Sequence, residues 1–330
     1  MKQLGYAALL LMFIIIIIPF ILVRGCSQEE MPIQEEKEVG EKLYTIRVYI
    51  KEEDKVVEMN FNEYLKGVLA AEMPAAFHIE ALKAQTVAAR TYVYHRIRNN
   101  QRAGIEIPEH KGADICTDHT HCKAWVSKKD AMAKWGMLSA QKYWDKIDRA
   151  VDDTANLIIT YEDEPIDAVF HSTSSGKTEN SEEVWGNSIP YLRSILSEGE
   201  EYSPKYTSTV EVSIDDFRSR LYNSRPGMQL KEDIRECVGE AEKTEGGSVK
   251  TIAIGDQSFK GTEIRKIFHL NSANFSIDVQ DDKVLFYVTG YGHGVGLSQY
   301  GANYLAEQGK TYQEILKYYY KDVRVVLVEE

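Results

Sequence analysis

The sequence predicts an α+β fold, in which an N-terminal membrane helix precedes a body of mixed helices and strands with a β-rich insertion. Three observations predict this architecture. Residues 9–23 form an almost wholly apolar run, apolar residues recur at helical spacing between residues 61 and 99, and short β-rich runs are scattered over residues 200–288. The chain contains no internal repeat.

The first 26 residues are predicted to be a membrane anchor. No charged residue lies between Lys2 and Arg24, and roughly twenty apolar residues suffice to cross a bilayer. A cleaved signal peptide that ends before Cys26 is the alternative. Residues 27–42 are acidic and aperiodic, which predicts a solvated linker, so that residues 43–330 form the folded body.

The charge of the chain excludes one class of partner. Its 39 Lys and Arg residues stand against 51 Asp and Glu residues, which gives a formal net charge of −12. So acidic a protein binds polyphosphates poorly, and no nucleic-acid partner is expected. The four cysteines are too unevenly spaced for a disulfide scaffold, and Cys237 is expected to be a buried small apolar residue.

The body is predicted to begin with a β-hairpin and a helix. Apolar and polar residues alternate over residues 43–50, before a charged turn at residues 51–55. Asn60 is a candidate N-cap, with Glu63 at capping-box spacing, and Pro74 is expected to end the helix. The apolar face of this helix contains Phe61, Tyr64, Leu65, Val68 and Leu69.

Longer helices are predicted next, at residues 78–99 and 128–148. Apolar runs at residues 157–161 and 166–170, separated by a turn-like segment, predict a second hairpin. A polar loop at residues 171–179 follows the second of these strands. This loop comes directly after a strand end, where a turn can present side chains to a ligand.

A β-rich subdomain is predicted at about residues 200–288. Strands are expected at residues 210–214, 249–254 and 284–288, and a short helix at residues 215–222. Glycine-rich turns connect these segments.

Glu72 is the first candidate for chemistry. It continues the apolar stripe of the first predicted helix, two residues before Pro74. A carboxylate at such a position must be paired, partly exposed or protonated, and the last of these is what a general acid requires. The structural alternative is a salt bridge to Lys83 or Arg90, which share one face of the next helix.

A group of His and Cys residues lies within residues 110–122. Thiolates together with imidazoles favour Zn²⁺, which takes four ligands in a tetrahedron. The alternative is a loop with incidental histidines and a reducible cysteine pair. Four protein ligands would leave no open position for catalysis. The candidate ligands are His110, Cys116, His119, His121 and Cys122, with Asp114 and Asp118 as possible oxygen ligands.

The polar loop after residue 170 is a candidate binding loop. His171, Ser172 and Ser175 present imidazole and hydroxyl groups, and a Ser nucleophile with His as its base is conceivable there. No G-x-S-x-G elbow surrounds the serines, which favours binding over nucleophilic catalysis.

Alternating glycines at residues 290–296 form a second candidate loop. They lack the P-loop pattern and precede helices predicted at residues 298–308 and 312–320. Such glycines let the backbone approach a ligand or another segment closely, with His293 and Gln299 as polar contacts. A tight strand-to-helix joint around a buried histidine is the alternative.

Four groups of motifs together resemble the stage II sporulation protein D family. The resemblance covers most of residues 43–322 and is weakest at about residues 200–280. One departure is Ser174-Ser175-Gly176, where relatives commonly have Ser-Gly-Gly. The motifs are Glu63-Tyr64-Leu65-Lys66-Gly67-Val68 through Glu72-Met73-Pro74; Ala81-Leu82-Lys83-Ala84-Gln85 through Ala88-Ala89-Arg90-Thr91-Tyr92; His171-Ser172-Thr173 with Val184-Trp185-Gly186; and Gly292-His293-Gly294-Val295-Gly296 with Ser298-Gln299-Tyr300-Gly301-Ala302.

This resemblance implies a function and a site. The family comprises lytic transglycosylases that cut peptidoglycan glycan strands during engulfment of the forespore, and a related branch contains amidase enhancers. The family's catalytic acid lies in the E-M-P segment, which implies Glu72. Clostridial members have a zinc site of two His and two Cys. That site implies a structural Zn²⁺ held by His110, Cys116, His121 and Cys122, with His119 as a competing ligand.

The implied mechanism needs one carboxylate. Glu72 would protonate the oxygen of the β-1,4 bond between N-acetylmuramic acid and N-acetylglucosamine, and would then take the proton of the muramic acid C6 hydroxyl as that oxygen closes on C1. A 1,6-anhydro end results, and no second acid is needed because the nucleophile is intramolecular. Lys83, Arg90 and Tyr92 are expected to shape this site, with Lys83 or Arg90 meeting the lactyl carboxylate within a local basic patch.

The family resemblance also implies partners and a location. The family acts on strands stripped of stem peptides, which implies a cell-wall amidase partner, stage II sporulation protein P. The chain is expected to be a single-pass protein of the cell membrane with its catalytic body outside the cytoplasm. Two other functions stay open: a zinc-dependent peptidoglycan amidase that uses the Cys/His group, and a non-catalytic wall-binding activator of an amidase.

Overall fold

The computed structural model describes residues 45–328 of the chain. These residues contain nine α-helices and fourteen short strands. This mixture confirms the α+β class. The predicted membrane anchor at residues 1–26 and the linker at residues 27–42 lie outside the described residues. Within residues 45–328, no helix combines the length and the apolar character that crossing a bilayer requires.

The helices and strands follow one another in no regular alternation. The helices are α1 Phe61–Glu72, α2 Ile79–Ala103, α3 Lys128–Trp135, α4 Ala140–Asp152, α5 Ser181–Trp185, α6 Ile214–Ser224, α7 Gly261–Phe268, α8 Gln299–Glu307 and α9 Tyr312–Tyr319. The strands are β1 Thr45–Ile50, β2 Lys55–Asn60, β3 Ile115–Cys116, β4 Leu157–Tyr161, β5 Glu164–Pro165, β6 Phe170–His171, β7 Thr207–Ser213, β8 Val238–Lys243, β9 Val249–Ile254, β10 Gln257–Lys260, β11 Phe275–Val279, β12 Lys283–Thr289, β13 Leu297–Ser298 and β14 Arg324–Leu327.

The first hairpin and the first helix are confirmed. Strands β1 and β2 pair antiparallel, and β3 joins the other edge of β1 in parallel. The Asn60 side chain caps α1 by accepting the backbone N–H groups of Asn62 at 2.8 Å and Glu63 at 3.3 Å. The helix ends at Glu72 because Met73 is extended, as a residue before proline prefers to be.

The prediction of one helix over residues 128–148 is wrong. The chain forms α3 and α4 instead, and Gly136 breaks the helix with a φ of +73°. This left-handed backbone conformation is readily available only to glycine. Met137 and Leu138 continue the helical pattern in the sequence, yet both are fully exposed at the turn.

The second predicted hairpin is only partly correct. Strand β4 pairs with the short β5 on one edge and with β14 on the other. Phe170 and His171 leave this sheet and form β6, which pairs in parallel with β13. An apolar run predicts that a strand exists but cannot identify its partner. This pairing is what brings the two candidate binding loops together.

The region of residues 207–289 has a hydrophobic core of its own. It contains sheets of order β11-β12-β7 and β10-β9-β8, packed with α6 and α7. Phe217, Phe268 and Phe286 stack at its centre, with ring centroids 4.7–6.2 Å apart. Helix α7 had no counterpart among the predicted elements. Cys237 is buried beside this core, as expected. The other large core surrounds α2, whose residues from Ala84 to Val93 are all buried.

A glycine in α1 allows a connecting segment to lie against that helix. The Val126 N–H donates to the Gly67 carbonyl at 3.2 Å, and the Trp125 indole occupies the space that a Cβ at position 67 would need. The close approach of residues 123–126 to α1 therefore requires glycine at this position.

We expect Gly67→Ala to destabilise the protein by about 1–3 kcal/mol, because the overlap with the indole outweighs the gain in helix propensity. Urea unfolding measures the change. The matched control is Trp125→Ala with and without Gly67→Ala, since removing the indole removes the overlap. Equal destabilisation in both backgrounds would contradict the packing argument.

Candidate functional site

Glu72 is half-buried at the carboxyl end of α1. Its Oε1 accepts the backbone N–H of Ala124 at 3.0 Å, and within residues 45–328 no other hydrogen bond to this carboxylate is formed. The alternative prediction, a salt bridge to Lys83 or Arg90, is wrong. A carboxylate held through one oxygen can present the other to a ligand.

A buried lysine lies beside this glutamate. Lys123 is 9% exposed, and its Nζ lies 3.6 Å from the ring centroid of Phe170 and 4.0 Å from that of Tyr92. Burial lowers the pKa of Lys123 to about 8, against the opposing charges of Glu72 and Asp167. Sequence reasoning missed Lys123, since only the fold places a residue that follows Cys122 between two aromatic rings.

Two histidines from the two candidate loops meet near this lysine. The ring centroids of His171 and His293 are 5.6 Å apart, and the half-exposed Trp185 packs 5.2 Å from His293. Burial lowers the pKa of His171 to about 4 and that of His293 well below its ordinary value. Both imidazoles are therefore neutral at pH 7.

The tautomer of His171 leaves one acceptor without a partner. Its Nδ1–H donates to the Val295 carbonyl at 3.1 Å, so that Nε2 carries the lone pair. Nε2 is buried and has no hydrogen-bond partner among the described residues. His293 has the opposite arrangement, because its Nδ1 accepts the Val295 N–H at 3.1 Å. The His293 ring also hydrogen-bonds the backbone of Phe170, so His171 Nε2 is the ring nitrogen of this pair that is left for a ligand.

Close backbone packing holds the two loops together. Gly292 has a φ of +124°, and a Cβ there would lie 2.7 Å from the Cβ of His171. The Tyr291 N–H donates to the Thr173 carbonyl at 2.7 Å, and the Thr173 N–H to the Tyr291 carbonyl at 3.0 Å. Both interpretations of the glycine loop thus hold: it approaches another segment closely, and it joins a strand to a helix around a histidine.

The other predicted loop residues are less accessible. The Ser175 hydroxyl donates to the Gly246 carbonyl at 3.1 Å, which ties the loop to the β8–β9 turn. Gln299 begins α8 and is 4% exposed. Ser172 is half-buried, with its hydroxyl 3.3 Å from that of Thr173. The structure thus places Ser172 and Ser175 in the first loop, both half-buried, and Gln299 outside the loops at the start of α8.

The prediction of a basic patch around Lys83 and Arg90 is wrong. Arg90 is 2% exposed, and its guanidinium donates to the carbonyls of Thr154, Leu157 and Val151. Lys83 pairs with Asp153 at 2.8 Å and with Glu80 at 3.4 Å. These contacts anchor α2, and neither cation is therefore free to bind an anion. Tyr92, 8% exposed, contacts Lys123 and so does border the site.

The Cys/His group converges in space. The ligand atoms of His110, Cys116, His121 and Cys122 all lie within 4.8 Å of one another. The Cys122 Sγ is 3.2 Å from His110 Nε2 and 3.4 Å from His121 Nδ1. Tetrahedral zinc with ordinary bond lengths places N and S ligands roughly 3.5 Å apart, so the donor set and spacing fit this ion.

The competing ligands lie outside this group. His119 is exposed. Asp114 pairs with Arg47 and Asp118 with Lys51, which attaches the loop to β1 and the turn after it. A zinc ion held by the four clustered side chains would have no open coordination position and would cross-link the loop.

Hydrogen bonds and a short stretch of chain link the Cys/His group to Glu72. The Arg96 guanidinium donates to the carbonyl of His121 at 3.2 Å and to the hydroxyl of Tyr92. Cys122 is followed at once by Lys123, which lies on Tyr92, and by Ala124, which holds Glu72. The conformation of the Cys/His loop therefore determines how the Glu72 carboxylate is held.

Comparison with known proteins agrees with the motifs. The family model described as "SpoIID: Stage II sporulation protein" matches residues 49–161. Stage II sporulation protein D of Bacillus subtilis (strain 168) is 35% identical over 98% of this chain and 96% of its own length. The protein of the same name from Bacillus amyloliquefaciens is 36% identical over 96% of this chain and 92% of its own length.

A more distant relative carries a different name. The amidase enhancer of Bacillus subtilis (strain 168) is 27% identical over 78% of this chain, which corresponds to 39% of the enhancer. The match covers most of the present chain but less than half of that longer protein.

We expect Arg90→Met to destabilise the protein by roughly 1–3 kcal/mol or more, because it leaves several buried carbonyl groups without a donor. Lys83→Met is the matched control on the same helix, and loss of its partly exposed ion pairs should cost less. Denaturant unfolding compares the two. A stable Arg90→Met protein that no longer binds glycan would restore the predicted substrate role.

We expect the purified protein to bind one zinc ion per chain, and Cys116→Ser to bind none and to melt at a lower temperature. The matched control is His119→Ala, which removes an imidazole from the same loop and should retain both zinc and stability. Elemental analysis and thermal unfolding provide the two readouts. Loss of zinc in the His119 variant alone would contradict the assignment of the four ligands.

Proposed function

Since the chain belongs to the stage II sporulation protein D family, a family related to sporulation and the cell wall, we propose that it is a lytic transglycosylase of peptidoglycan. It cleaves the bond between N-acetylmuramic acid and N-acetylglucosamine in strands stripped of stem peptides and leaves a 1,6-anhydro end. The observation that carries the proposal is the half-buried Glu72, fixed through one oxygen and free at the other.

Glu72 serves in turn as acid and base. Its free oxygen donates a proton to the glycosidic oxygen as the bond breaks, and the resulting carboxylate faces the positive charge of Lys123. The carboxylate then accepts the proton of the C6 hydroxyl, whose oxygen bonds to C1. The Ala124 N–H holds the carboxylate in one orientation through both steps, which an intramolecular ring closure requires.

The neighbouring groups suit a sugar ligand. The Trp185 indole is 45% exposed and presents an apolar face beside His293. Neutral His171 offers a hydrogen-bond acceptor at Nε2, and the neutral imidazoles add no positive charge to that of Lys123. Aromatic surface with a few fixed polar groups is typical of ligand sites.

A zinc ion, a membrane anchor and a partner enzyme support this reaction. The zinc ion held by His110, Cys116, His121 and Cys122 is structural and stabilises the loop that precedes Ala124. The protein acts outside the cytoplasm, attached to the cell membrane by residues 1–26. A cell-wall amidase, stage II sporulation protein P, removes the stem peptides beforehand.

The amidase enhancer relative favours a second candidate function, in which the protein binds wall glycan and activates an amidase without cleaving sugar. A zinc-dependent amidase fits less well. The four clustered side chains would fill all four positions of a tetrahedral zinc ion, whereas a catalytic zinc keeps a position for water.

We expect Glu72→Gln to reduce cleavage of denuded glycan strands by roughly 10²–10⁴-fold, because the amide cannot transfer a proton. Mass spectrometry of the products measures the reaction. Products of the unaltered protein should be about 18 Da lighter than hydrolysis would give, since the C6 hydroxyl replaces water.

The control is Glu63→Gln, the same substitution on the same helix, where the side chain is exposed and pairs with Lys66. It should retain full activity. Hydrolysed ends instead of anhydro ends would refute the lyase mechanism. Full engulfment in cells that carry Glu72→Gln would favour the non-catalytic activator.

A further inference from the structure

A cleft outside the proposed catalytic site is lined by cationic side chains. It has a volume of about 490 Å³ and lies between α7 and the start of the glycine loop. None of its lining residues is acidic, although the chain has a formal net charge of −12. The lining residues are Thr262, Arg265, Lys266, His269, Leu270, Asn271 and Tyr291.

The cations of this cleft have no anionic partner in the part of the chain that the structure describes. Arg265 is partly buried, and its Nε donates to the Leu270 carbonyl at 3.3 Å, but neither Arg265 nor Lys266 forms an ion pair there. The one acid of α7, Glu263, pairs with Arg225 at 2.6 Å instead. Unlike Arg90, which donates to several carbonyl groups, Arg265 has this one partner among residues 45–328, so its other N–H groups are left to bind an anion.

The cleft adjoins the glycine loop that contains His293. Tyr291 lines the cleft and is two residues from His293, and the Gly292 N–H donates to the Asn271 carbonyl at 3.0 Å. The charge of Arg265 contributes to the lowered pKa of both His171 and His293, so the guanidinium lies within electrostatic reach of the histidine pair. A chain of neighbouring groups thus leads from Glu72 past Lys123 and the histidines to the cleft.

We propose that this cleft is a distal subsite that binds a carboxylate of the glycan strand through Arg265 and Lys266, while Tyr291 packs against a sugar ring. The inference rests on the proposed function, because a strand without stem peptides carries a lactyl carboxylate on every muramic acid. The shared chemistry is an oxyanion on a wall polymer, and the phosphate of an anionic polymer is the other source. Guanidinium groups bind either oxyanion through paired hydrogen bonds.

Binding by the full chain with Glu72→Gln tests the subsite without turnover. Titrations use denuded strands, the same strands with their carboxyl groups reduced to alcohols, and teichoic acid. Arg265→Gln with Lys266→Gln should raise the Kd for denuded strands roughly tenfold or more, since two charge-assisted contacts are lost. The Kd for reduced strands should not change between the two proteins.

The matched control removes the same two charge types from exposed positions of the same β-rich region but outside the cleft, as Arg235→Gln with Lys231→Gln. It should bind denuded strands with unchanged Kd. Lys266→Gln alone, at an exposed residue, serves as a variant that cannot fail through misfolding, and Arg265→Lys should restore part of the binding.

Equal Kd values for the double variant and its control would overturn the subsite. A double variant that loses binding to teichoic acid alone would also overturn the subsite, because the two cations would then bind phosphate. Cleavage by the unaltered chain with unchanged Kd values would refute the subsite alone. A Kd difference that persists when the unaltered chain cleaves nothing would support the subsite and refute the proposed lyase activity.

Discussion

The hydrogen bond from the Ala124 N–H to the Glu72 carboxylate is the interaction on which the candidate site depends. It requires residues 123–126 to lie against α1, and that approach is possible only because Gly67 has no side chain. The same segment carries Lys123 into the space between Tyr92 and Phe170. The backbone of residues 123–126 therefore positions both Glu72 and the neighbouring Lys123.

The Cys/His loop supports this path from the other side. Four clustered ligand side chains and two ion pairs to the first hairpin hold the loop immediately before Lys123 and Ala124. Apart from the two-residue strand β3, which pairs with β1, the loop has little regular secondary structure to define its conformation. A structural metal would supply that definition and would thereby help to fix the orientation of Glu72.

The β-rich region and the helical body meet at the two polar loops. Glu179 is 2% exposed, and its Oε1 accepts the hydroxyl of Thr244 at 3.0 Å and the N–H of Ser248 at 3.1 Å. Together with the bond from Ser175 to Gly246, these contacts attach the β8–β9 turn to the loop that contains His171. The predicted ligand contacts therefore have two different roles. Ser175 links the two regions of the fold, whereas His171 and His293 face the site.

The class of fold, most element positions and the candidate acid Glu72 follow from the sequence alone. Helical and alternating apolar periods reflect which residues are buried, and caps such as Asn60 act locally, so both can be recognised without knowing the fold. The sequence also marks residues 110–122 as a candidate metal site, because so many thiol and imidazole groups are unusual in so short a segment, and the family resemblance selects the four that cluster in the structure. The structural roles of Arg90 and Lys83 and the pairing of β6 with β13 become visible only in the folded chain. The same is true of Lys123 and Arg265, the cations near the site. Those outcomes depend on contacts between residues far apart in the chain, and a side chain's charge does not reveal which partner will neutralise it.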